Sequence, residues 1–294
     1  MTDDNFVLAY FGHHKCGSTM ILNIVTMTCK YLGLKHTHFH SPAMWGYDEN
    51  GLMLDRVAQN LGLDFVSYIS ADIKYIGDAR RFKGVHVIRD PRDIVVSSYF
   101  SNLYSHSVEY WPELKEFRSL LEKLPKDEGM LENIKFMAKL PVDGQDLNLF
   151  DTLKCWDYSL PNILEIKFED LVRNPYQLFI EIFEFLGLVD DTELSVASIK
   201  SILRRILQTD YPKLRALKKI SKVPAWMLFH FIYSNRFSKL AKGREKGQEN
   251  VRSHYRKGVP GDWVNHFNDV HKKFFKENYN DILVKLGYEK DDRW

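Results

Sequence analysis

"YFGHHKCGSTM" (residues 10–20) is close to the phosphate-binding pattern G-x-x-x-x-G-K-[ST], which joins a strand to a helix. Gly12 and Gly17 keep the glycine spacing, but Ser18 occupies the lysine position and the lysine is Lys15. A strand, a glycine turn and a helix N-terminus bind anions through backbone N–H groups and the helix dipole. The segment therefore predicts an α/β fold with an anion site that differs from the usual nucleoside triphosphate site.

Two familiar phosphate chemistries fit this loop poorly. A kinase or NTPase of the P-loop type places its lysine beside the hydroxyl residue that binds Mg²⁺, and Lys15 stands too early for that role. A cysteine phosphatase needs an arginine six residues after its cysteine, but Leu22 follows Cys16 at that distance. A plain strand-to-helix turn is the remaining alternative, and Lys15, Ser18 and Thr19 together favour an anion site over it.

Apolar, β-rich runs alternate with helical patterns along the chain. Strands are predicted at 5–12, 35–40, 64–70, 84–90 and 162–170, and helices at 17–33, 91–105 and 175–187, with 105–160 and 190–250 mainly helical. Such alternation is typical of a parallel sheet with helices on both faces. We predict a single P-loop-like α/β domain over residues 1–294, with a central, mostly parallel sheet flanked by helices and with helical insertions.

Composition places the chain among globular proteins, since 45% of its 294 residues are hydrophobic and 27% are charged. The apolar run 226–233 is too short to span a bilayer, and no secretory signal opens the sequence. Three cysteines argue against a disulfide framework, and no zinc-ligand spacing occurs. The sequence predicts a cytoplasmic protein without a transmembrane segment.

Charge is unevenly distributed, although the net charge is only +2. Residues 201–257 contain 15 lysines and arginines against three acidic residues. Such an excess favours an anionic partner near this stretch. Because no nucleic-acid-binding motif accompanies it, we expect no nucleic-acid partner.

A second anion signal is "VIRDPRDIVVSSYFS", in which Arg89 follows a predicted strand and Ser97 lies on the next helix. Open α/β sheets bind ligands at the carboxyl ends of their strands, so the two side chains could converge on one phosphate. The alternative is that Arg89 pairs with a carboxylate such as Asp93 and Ser97 only packs.

A third signal is "YRKGVPGDWVNHF" (255–267), where Arg256 and Lys257 precede Gly258. A glycine lets the backbone approach a ligand closely. The alternative is a basic surface turn.

Together these segments resemble the cytosolic-type sulfotransferases that use 3′-phosphoadenosine 5′-phosphosulfate (PAPS). "HKCGSTM" is similar to the 5′-phosphosulfate loop PKSGTTW, and "IRDPRDIVVSSY" to the family's 3′-phosphate motif. "RKGVPGDWVNHF" resembles RKGxxGDWKNxF, and "KFEDLVRNP" resembles YEDLxxNP. The four motifs occur in family order between residues 10 and 267, so the resemblance covers most of the chain.

The resemblance implies that PAPS is the donor, that adenosine 3′,5′-bisphosphate (PAP) is the product, and that no metal is needed. It also implies that Lys15 reaches the oxygen between the 5′-phosphate and the sulfuryl group, where it stabilises the leaving charge. Phe168 and Met20 stand where the family has tyrosine and tryptophan, so adenine contacts depart from the pattern. The implied cofactor-binding residues are Lys15, Cys16, Gly17, Ser18, Thr19, Met20, Arg89, Ser97, Phe168, Arg256, Lys257 and Gly258.

The catalytic base is not where the family places it. The family histidine belongs to a K-T-H-x-P stretch, but the corresponding segment is "YISADIKY", with Asp72 as its nearest ionisable residue. The stretch "KHTHFH" offers alternating histidines, and a histidine pKa suits proton abstraction near neutral pH. We rank His40 and His38 above Asp72, and Glu49 is a further possibility.

The predicted activity is transfer of a sulfuryl group from PAPS to a hydroxyl or amine. The alternatives are an ATP-dependent P-loop phosphotransferase and a non-catalytic module that binds 3′-phosphonucleotides. Aromatic residues in 101–111 and 226–237 favour a small-molecule or lipid-like acceptor, whereas the basic excess would suit an acidic glycan, which we rank lower. The oligomeric state stays open.

Overall fold

Five parallel strands form the central sheet of the computed structural model, which describes residues 6–46, 51–109, 111–142, 145–190 and 222–294. The strands are β1 (Val7–Gly12), β2 (His36–Phe39), β3 (Phe65–Tyr68), β4 (Phe82–Ile88) and β5 (Ile163–Lys167). Their order is β2-β3-β1-β4-β5, and every neighbouring pair is parallel. β1 is therefore central, which places the loop after it at the middle of the sheet's carboxyl edge.

Helices cover both faces of this sheet. They are α1 (Ser18–Leu32), α2 (Leu54–Asn60), α3 (Pro91–Phe100), α4 (Pro112–Leu121), α5 (Lys126–Lys139), α6 (Leu149–Cys155), α7 (Phe168–Arg173), α8 (Pro175–Phe185), α9 (Ala225–Ser234), α10 (Phe237–Leu240) and α11 (Asp269–Lys285). Short 3₁₀ turns occupy Pro42–Trp45, Ile73–Tyr75, Ala79–Arg81 and Asp262–Asn265, and a π-helical turn occupies Ser101–Ser105. Two-residue strands pair Pro141–Val142 with Gln145–Asp146, and Val189–Asp190 with Val223–Pro224.

Two hydrophobic clusters pack against the sheet, one on each face. Side chains alternate along a strand, so Tyr10 belongs to one cluster while Ala9 and Phe11 belong to the other. Burial on both faces explains why β1 is an almost continuous apolar run.

The helix ends follow the local sequence. Asp90 caps α3 by accepting a hydrogen bond from the Arg92 N–H, and Pro91 occupies the first helical position, as predicted. α1 ends at Gly33, whose φ of 77° is the left-handed conformation that glycine adopts without strain.

The predicted central parallel sheet flanked by helices is confirmed. The two largest boundary differences are that the strand predicted to end at residue 170 ends at Lys167, and that the helix predicted over 91–105 becomes a π turn after Phe100. Part of the predicted helical stretch 190–250 lies outside the described residues. In the part that is described, no helix is long and apolar enough to cross a membrane.

Candidate functional site

The loop between β1 and α1 (residues 13–17, the phosphate loop) has a backbone that few residues tolerate. Lys15 has a φ of 64° and Gly17 a φ of 78°, both in the left-handed region. A Cβ atom on Gly17 would lie 2.5 Å from Cε2 of Phe168, so only glycine fits there. A lysine held in this conformation is a strained residue of the kind that clusters at functional sites.

Hydrogen bonds hold the backbone of the phosphate loop in place. Some come from the loop and the start of α1, and one comes from Arg89, the residue after β4. The Cys16 N–H donates to the His13 carbonyl at 3.1 Å, and the Ser18 hydroxyl donates to the same oxygen at 3.4 Å. Arg89 Nη1 donates to the Lys15 carbonyl at 3.0 Å. The Met20 N–H donates to the Gly17 carbonyl at 3.1 Å, so in the described structure the Ser18 and Thr19 N–H groups at the start of α1 are left for a ligand.

A buried chain of polar side chains (the His13 network) lies beneath the phosphate loop. His13 Nε2 is 2.7 Å from His86 Nε2, and His86 Nδ1 is 2.6 Å from Glu165 Oε2. At the other end, Thr152 Oγ1 lies 3.3 Å from His13 Nδ1. Trp156 stacks on the His86 ring and donates its indole N–H to Glu165 Oε1 at 2.9 Å. The network thus ties the loop to β4, β5 and α6.

The Lys15 amine lies in a buried and cationic setting. Burial is the main cause that lowers its pKa from 10.5 to about 7, and the charges of Arg89 and Arg256 lower it further. Near neutral pH an approaching anion would therefore favour its protonated form.

Arg89 and Phe168 form a second wall of the site. The Arg89 guanidinium lies over the Phe168 ring at 4.8 Å and is 3.7 Å from Asp93, the pairing considered above as the alternative. Its Nε atom is buried and has no hydrogen-bond partner in the described structure. A buried donor without an acceptor is costly, which fits a site that a ligand completes.

The C-terminal motif (residues 255–267) forms the third wall of the site and is held to α3 by hydrogen bonds. Asp93 accepts hydrogen bonds from the Gly261 N–H at 2.6 Å and the Trp263 N–H at 2.9 Å. Asp262 accepts from Arg256 at 2.6 Å and from Lys257 at 2.5 Å. These contacts hold both cations at the cavity wall.

One cavity of about 790 Å³ collects the predicted residues. Of the predicted cofactor-binding residues, all except Cys16 line it: Lys15, Gly17, Ser18, Thr19, Met20, Arg89, Ser97, Phe168, Arg256, Lys257 and Gly258. Cys16 instead packs in the hydrophobic core, and burial raises the pKa of its thiol. Its contribution is limited to its backbone.

One group of possible metal ligands occurs among the described residues, formed by Glu249, Asp262 and His266. Arg256 contacts both carboxylates, and Lys257 contacts Asp262 as well. Two cations already neutralise this cluster, so it offers no vacancy for a metal ion.

The structure separates the predicted bases. His40 lines the cavity, whereas His38 and Asp72 do not. Asp72 accepts a hydrogen bond from the Lys74 N–H and forms an ion pair with the Lys74 amine at 3.1 Å, so it is a helix cap. Glu49 lies outside the described residues.

Three further histidines in the cavity wall are possible bases that the sequence did not point to. His14, His106 and His254 line the cavity with His40, and all come from different segments. His254 contacts the Thr19 hydroxyl at 3.3 Å. Of the three, only His14 stands in a motif quoted from the sequence, where it adjoins Lys15.

Comparisons with known proteins agree with this geometry. The family model described as "Sulfotransferase domain" matches residues 3–287, which confirms the resemblance inferred from the four motifs. No curated protein matches the chain.

Solved structures share the fold at low sequence identity. Mouse sulfotransferase SULT7A1 complexed with PAP has 15% identity and a TM-score of 0.57, over 95% of this chain and 85% of its own. Retinol dehydratase in complex with androsterone and inactive cofactor PAP has 16% identity and a TM-score of 0.51, over 95% of this chain and 81% of its own. The same enzyme was also solved in a complex with retinol and PAP.

Proposed function

Because this chain belongs to the sulfotransferase domain family, we propose that it transfers a sulfuryl group from PAPS to a hydroxyl or amine of a small or lipid-like acceptor. PAPS supplies the sulfuryl group, and the electron pair of the broken S–O bond stays on the 5′-phosphate of the product PAP. The proposed location is the cytoplasm, which agrees with the free state of all three cysteines.

The observation that carries this proposal is the convergence of three anion-binding segments. Lys15, Arg89 and Arg256 are far apart in sequence, yet all line one cavity at the sheet's carboxyl edge. Gly17 and Gly258 both have left-handed backbones, and a Cβ on either would collide with an aromatic ring. Two such backbone approaches and the unpaired Arg89 Nε fit a phosphorylated nucleotide.

Lys15 and the first turn of α1 would hold the 5′ side of the nucleotide. The helix N-terminus stabilises the 5′-phosphate through its N–H groups. Lys15 would stabilise the negative charge that grows on the leaving oxygen, and a donor in this role is typically worth about 10²–10³ in rate.

Arg89, Ser97 and Arg256 would hold the 3′-phosphate, with Lys257 and the Gly258 backbone beside them. Arginine binds phosphate through a planar fork of N–H donors, which suits a site that must distinguish a 3′-phosphate from a hydroxyl. Phe168 and Met20 would contact the adenine through their apolar side chains only.

An apolar region of the same cavity would take the acceptor. Tyr176, Ile232 and Phe237 line it, and 790 Å³ is enough for a nucleotide beside part of a second molecule. Androsterone and retinol, bound by the structural neighbours, are hydroxylated and lipid-like. An acidic glycan is the less favoured acceptor, and activity confined to anionic glycans in a panel with phenols, sterols and fatty alcohols would overturn this ranking.

Calorimetry with PAP, AMP and ATP tests the donor site. The proposal requires tight binding of PAP and much weaker binding of AMP and ATP, because only PAP carries the 3′-phosphate. Equal affinity for AMP would contradict the 3′-phosphate site, and preference for ATP would favour a phosphotransferase. Transfer from labelled PAPS then separates an enzyme from a non-catalytic nucleotide-binding module.

A further inference from the structure

Sulfuryl transfer requires a base for the acceptor's proton, and four histidines line the cavity: His14, His40, His106 and His254. Resting on the function proposed above, we propose that His106 is this catalytic base. His106 follows α3, whereas "YISADIKY", the segment that corresponds to the family's K-T-H-x-P stretch, precedes β4.

His106 is placed by an unusual backbone turn. The π-helical turn Ser101–Ser105 ends α3, and His106 is the first residue after it. π turns are rare and often occur at functional sites, because they change the direction of the residues that follow. The turn extends the helix that carries Ser97, so the donor site and His106 belong to one rigid element.

The backbone carbonyl of the next residue, Ser107, determines the tautomer of the His106 ring. Nδ1 lies 3.0 Å from the Ser107 carbonyl oxygen, which can only accept a hydrogen bond. Nδ1 must therefore carry the proton, and in the neutral ring the lone pair is on Nε2. A general base needs such a lone pair, and its orientation is set before the acceptor binds.

Neighbouring side chains hold the turn and the ring. Arg118 donates from Nη2 to the His106 carbonyl at 2.7 Å and from Nε to the Asn102 carbonyl at 2.5 Å. The Trp111 ring packs against the His106 ring at 5.1 Å in a T-shaped arrangement. Support of this kind reduces the motion that would otherwise misplace a catalytic group.

The groups that face His106 favour its neutral form. Burial is the main cause that lowers its pKa, the hydrogen bond to the Ser107 carbonyl opposes this, and the charges of Lys15, Arg118 and His40 lower the pKa further. The His14 ring lies 5.9 Å away, and His254 also interacts with His106. At neutral pH His106 is thus unprotonated and able to accept a proton.

The other cavity histidines are less suited to this role. Burial lowers the pKa of His254 to about 4, which makes it a weak base. His14 Nε2 is buried, and burial lowers the pKa of His14 as well. His40 is an exposed residue just after the edge strand β2.

In the proposed step, the proton of the acceptor O–H moves to His106 Nε2. The electron pair of that O–H bond stays on oxygen, so that the oxygen can form the new bond to sulfur. Lys15, on the same cavity wall, balances the charge that leaves with the 5′-phosphate.

Kinetics of His106→Ala test the assignment, with PAPS and with 2-naphthol and a 3-hydroxysteroid as acceptors. We expect His106→Ala to lose about 10²–10⁴ in turnover, to lose the acidic limb of the pH–rate profile and to be partly rescued by added imidazole. Its affinity for PAP should be unchanged. The control is His230→Ala, which changes an exposed histidine outside the cavity and should keep wild-type turnover. Wild-type-like turnover of His106→Ala, or a larger loss in His40→Ala, would overturn the proposal.

Imidazole ¹⁵N NMR provides a test that does not need an acceptor. The His106 signal, assigned by its absence in His106→Gln, should show a proton on Nδ1 and none on Nε2 near neutral pH. A proton on Nε2 would overturn the inference even if the enzyme were active. A wild-type protein without transfer to any acceptor would instead count against the proposed function.

Discussion

Glu165→Gln is the substitution that most directly tests how the His13 network supports the phosphate loop. The Thr152 hydroxyl donates to the Leu149 carbonyl at 2.8 Å, so His13 Nδ1 must be the donor to Thr152 Oγ1. His13 Nε2 then accepts from His86 Nε2, which leaves His86 Nδ1 as an acceptor. The remaining hydrogen, between His86 and Glu165, must come from a protonated carboxyl.

Glutamine reproduces that protonated carboxyl with an amide. Its N–H donates to His86 Nδ1 where the acid's O–H did, and its carbonyl still accepts from the Trp156 indole. We therefore expect Glu165→Gln to leave the free energy of unfolding nearly unchanged near pH 4.5, where the wild-type carboxyl costs little to protonate on folding. The control Glu165→Leu leaves His86 Nδ1 and the Trp156 N–H without a hydrogen-bond partner. Each loss should lower the free energy of unfolding by about 1–3 kcal/mol.

The pH dependence follows from the same assignment. Burial raises the pKa of Glu165 from 4.5 to about 8, so the folded state holds a proton that the unfolded chain releases. Its stabilising contribution is complete below the unfolded value of 4.5 and is lost as pH rises towards 8. Relative to Glu165→Gln, the wild type should lose up to about 1.4 kcal/mol per pH unit in this range.

Urea denaturation of both proteins at about pH 5 and about pH 8 measures the difference, because groups common to both cancel. The reasoning fails if Glu165→Gln is destabilised by more than about 2 kcal/mol at the lower pH and the gap does not change with pH. That outcome would mean an ionised Glu165 paired with a charged His86.

Other predictions concern the nucleotide. Lys15→Ala should lower turnover by about 10²–10³ while it weakens PAP binding far less, since its contact strengthens as the leaving charge grows; equal losses in rate and PAP affinity would assign it to ground-state binding. Arg256→Ala should weaken PAP binding in calorimetry and leave AMP binding nearly unchanged, and a matching loss for AMP would rule out its 3′-phosphate role. Gly17→Ala should reduce PAP affinity, because its Cβ would meet Phe168 at 2.5 Å in addition to left-handed strain of about 1–2 kcal/mol. Gly46→Ala is the matched control, with a φ of 77° and nothing within 4 Å of the added Cβ, and it should bind PAP normally.

Sequence patterns predicted the sheet well because its three central strands, β1, β3 and β4, are largely buried on both faces. β1 and β4 are runs of apolar and β-branched residues, and turn signals bound them. The end of β5 was missed because Phe168 continues an apolar pattern, although Glu169 and Asp170 suit the first turn of a helix. Hydrophobic periodicity and residue propensity predict the type of an element more reliably than they predict the residue at which it ends.

The convergence of Lys15, Arg89 and Arg256 on one cavity was predictable because each of their segments carries a local motif. The His13 network was not, since it depends on the register that places His86 opposite Glu165 on β5. His106 was missed for a similar reason, because a π turn shifts it out of the α-helical register in which the segment was interpreted. A group of side chains that depends on strand register, or on a single irregular turn, has no characteristic residue spacing in the sequence.

Three cations of the cavity, Lys15, Arg89 and Arg256, fall into two electrostatic classes. Arg89 is paired with Asp93, and Arg256 with Glu249 and Asp262, so each keeps its charge in a fixed position. Lys15 has no carboxylate at ion-pair distance within the described ranges, and its pKa of about 7 leaves its charge responsive to its surroundings. The charge of a 3′-phosphate does not change during transfer, so the arginines proposed to bind it stabilise it equally before and during the reaction, whereas the stabilisation by Lys15 grows with the negative charge on the leaving oxygen. Of the three cations, Lys15 is therefore best suited to accelerate transfer, and the paired arginines are better suited to binding the nucleotide.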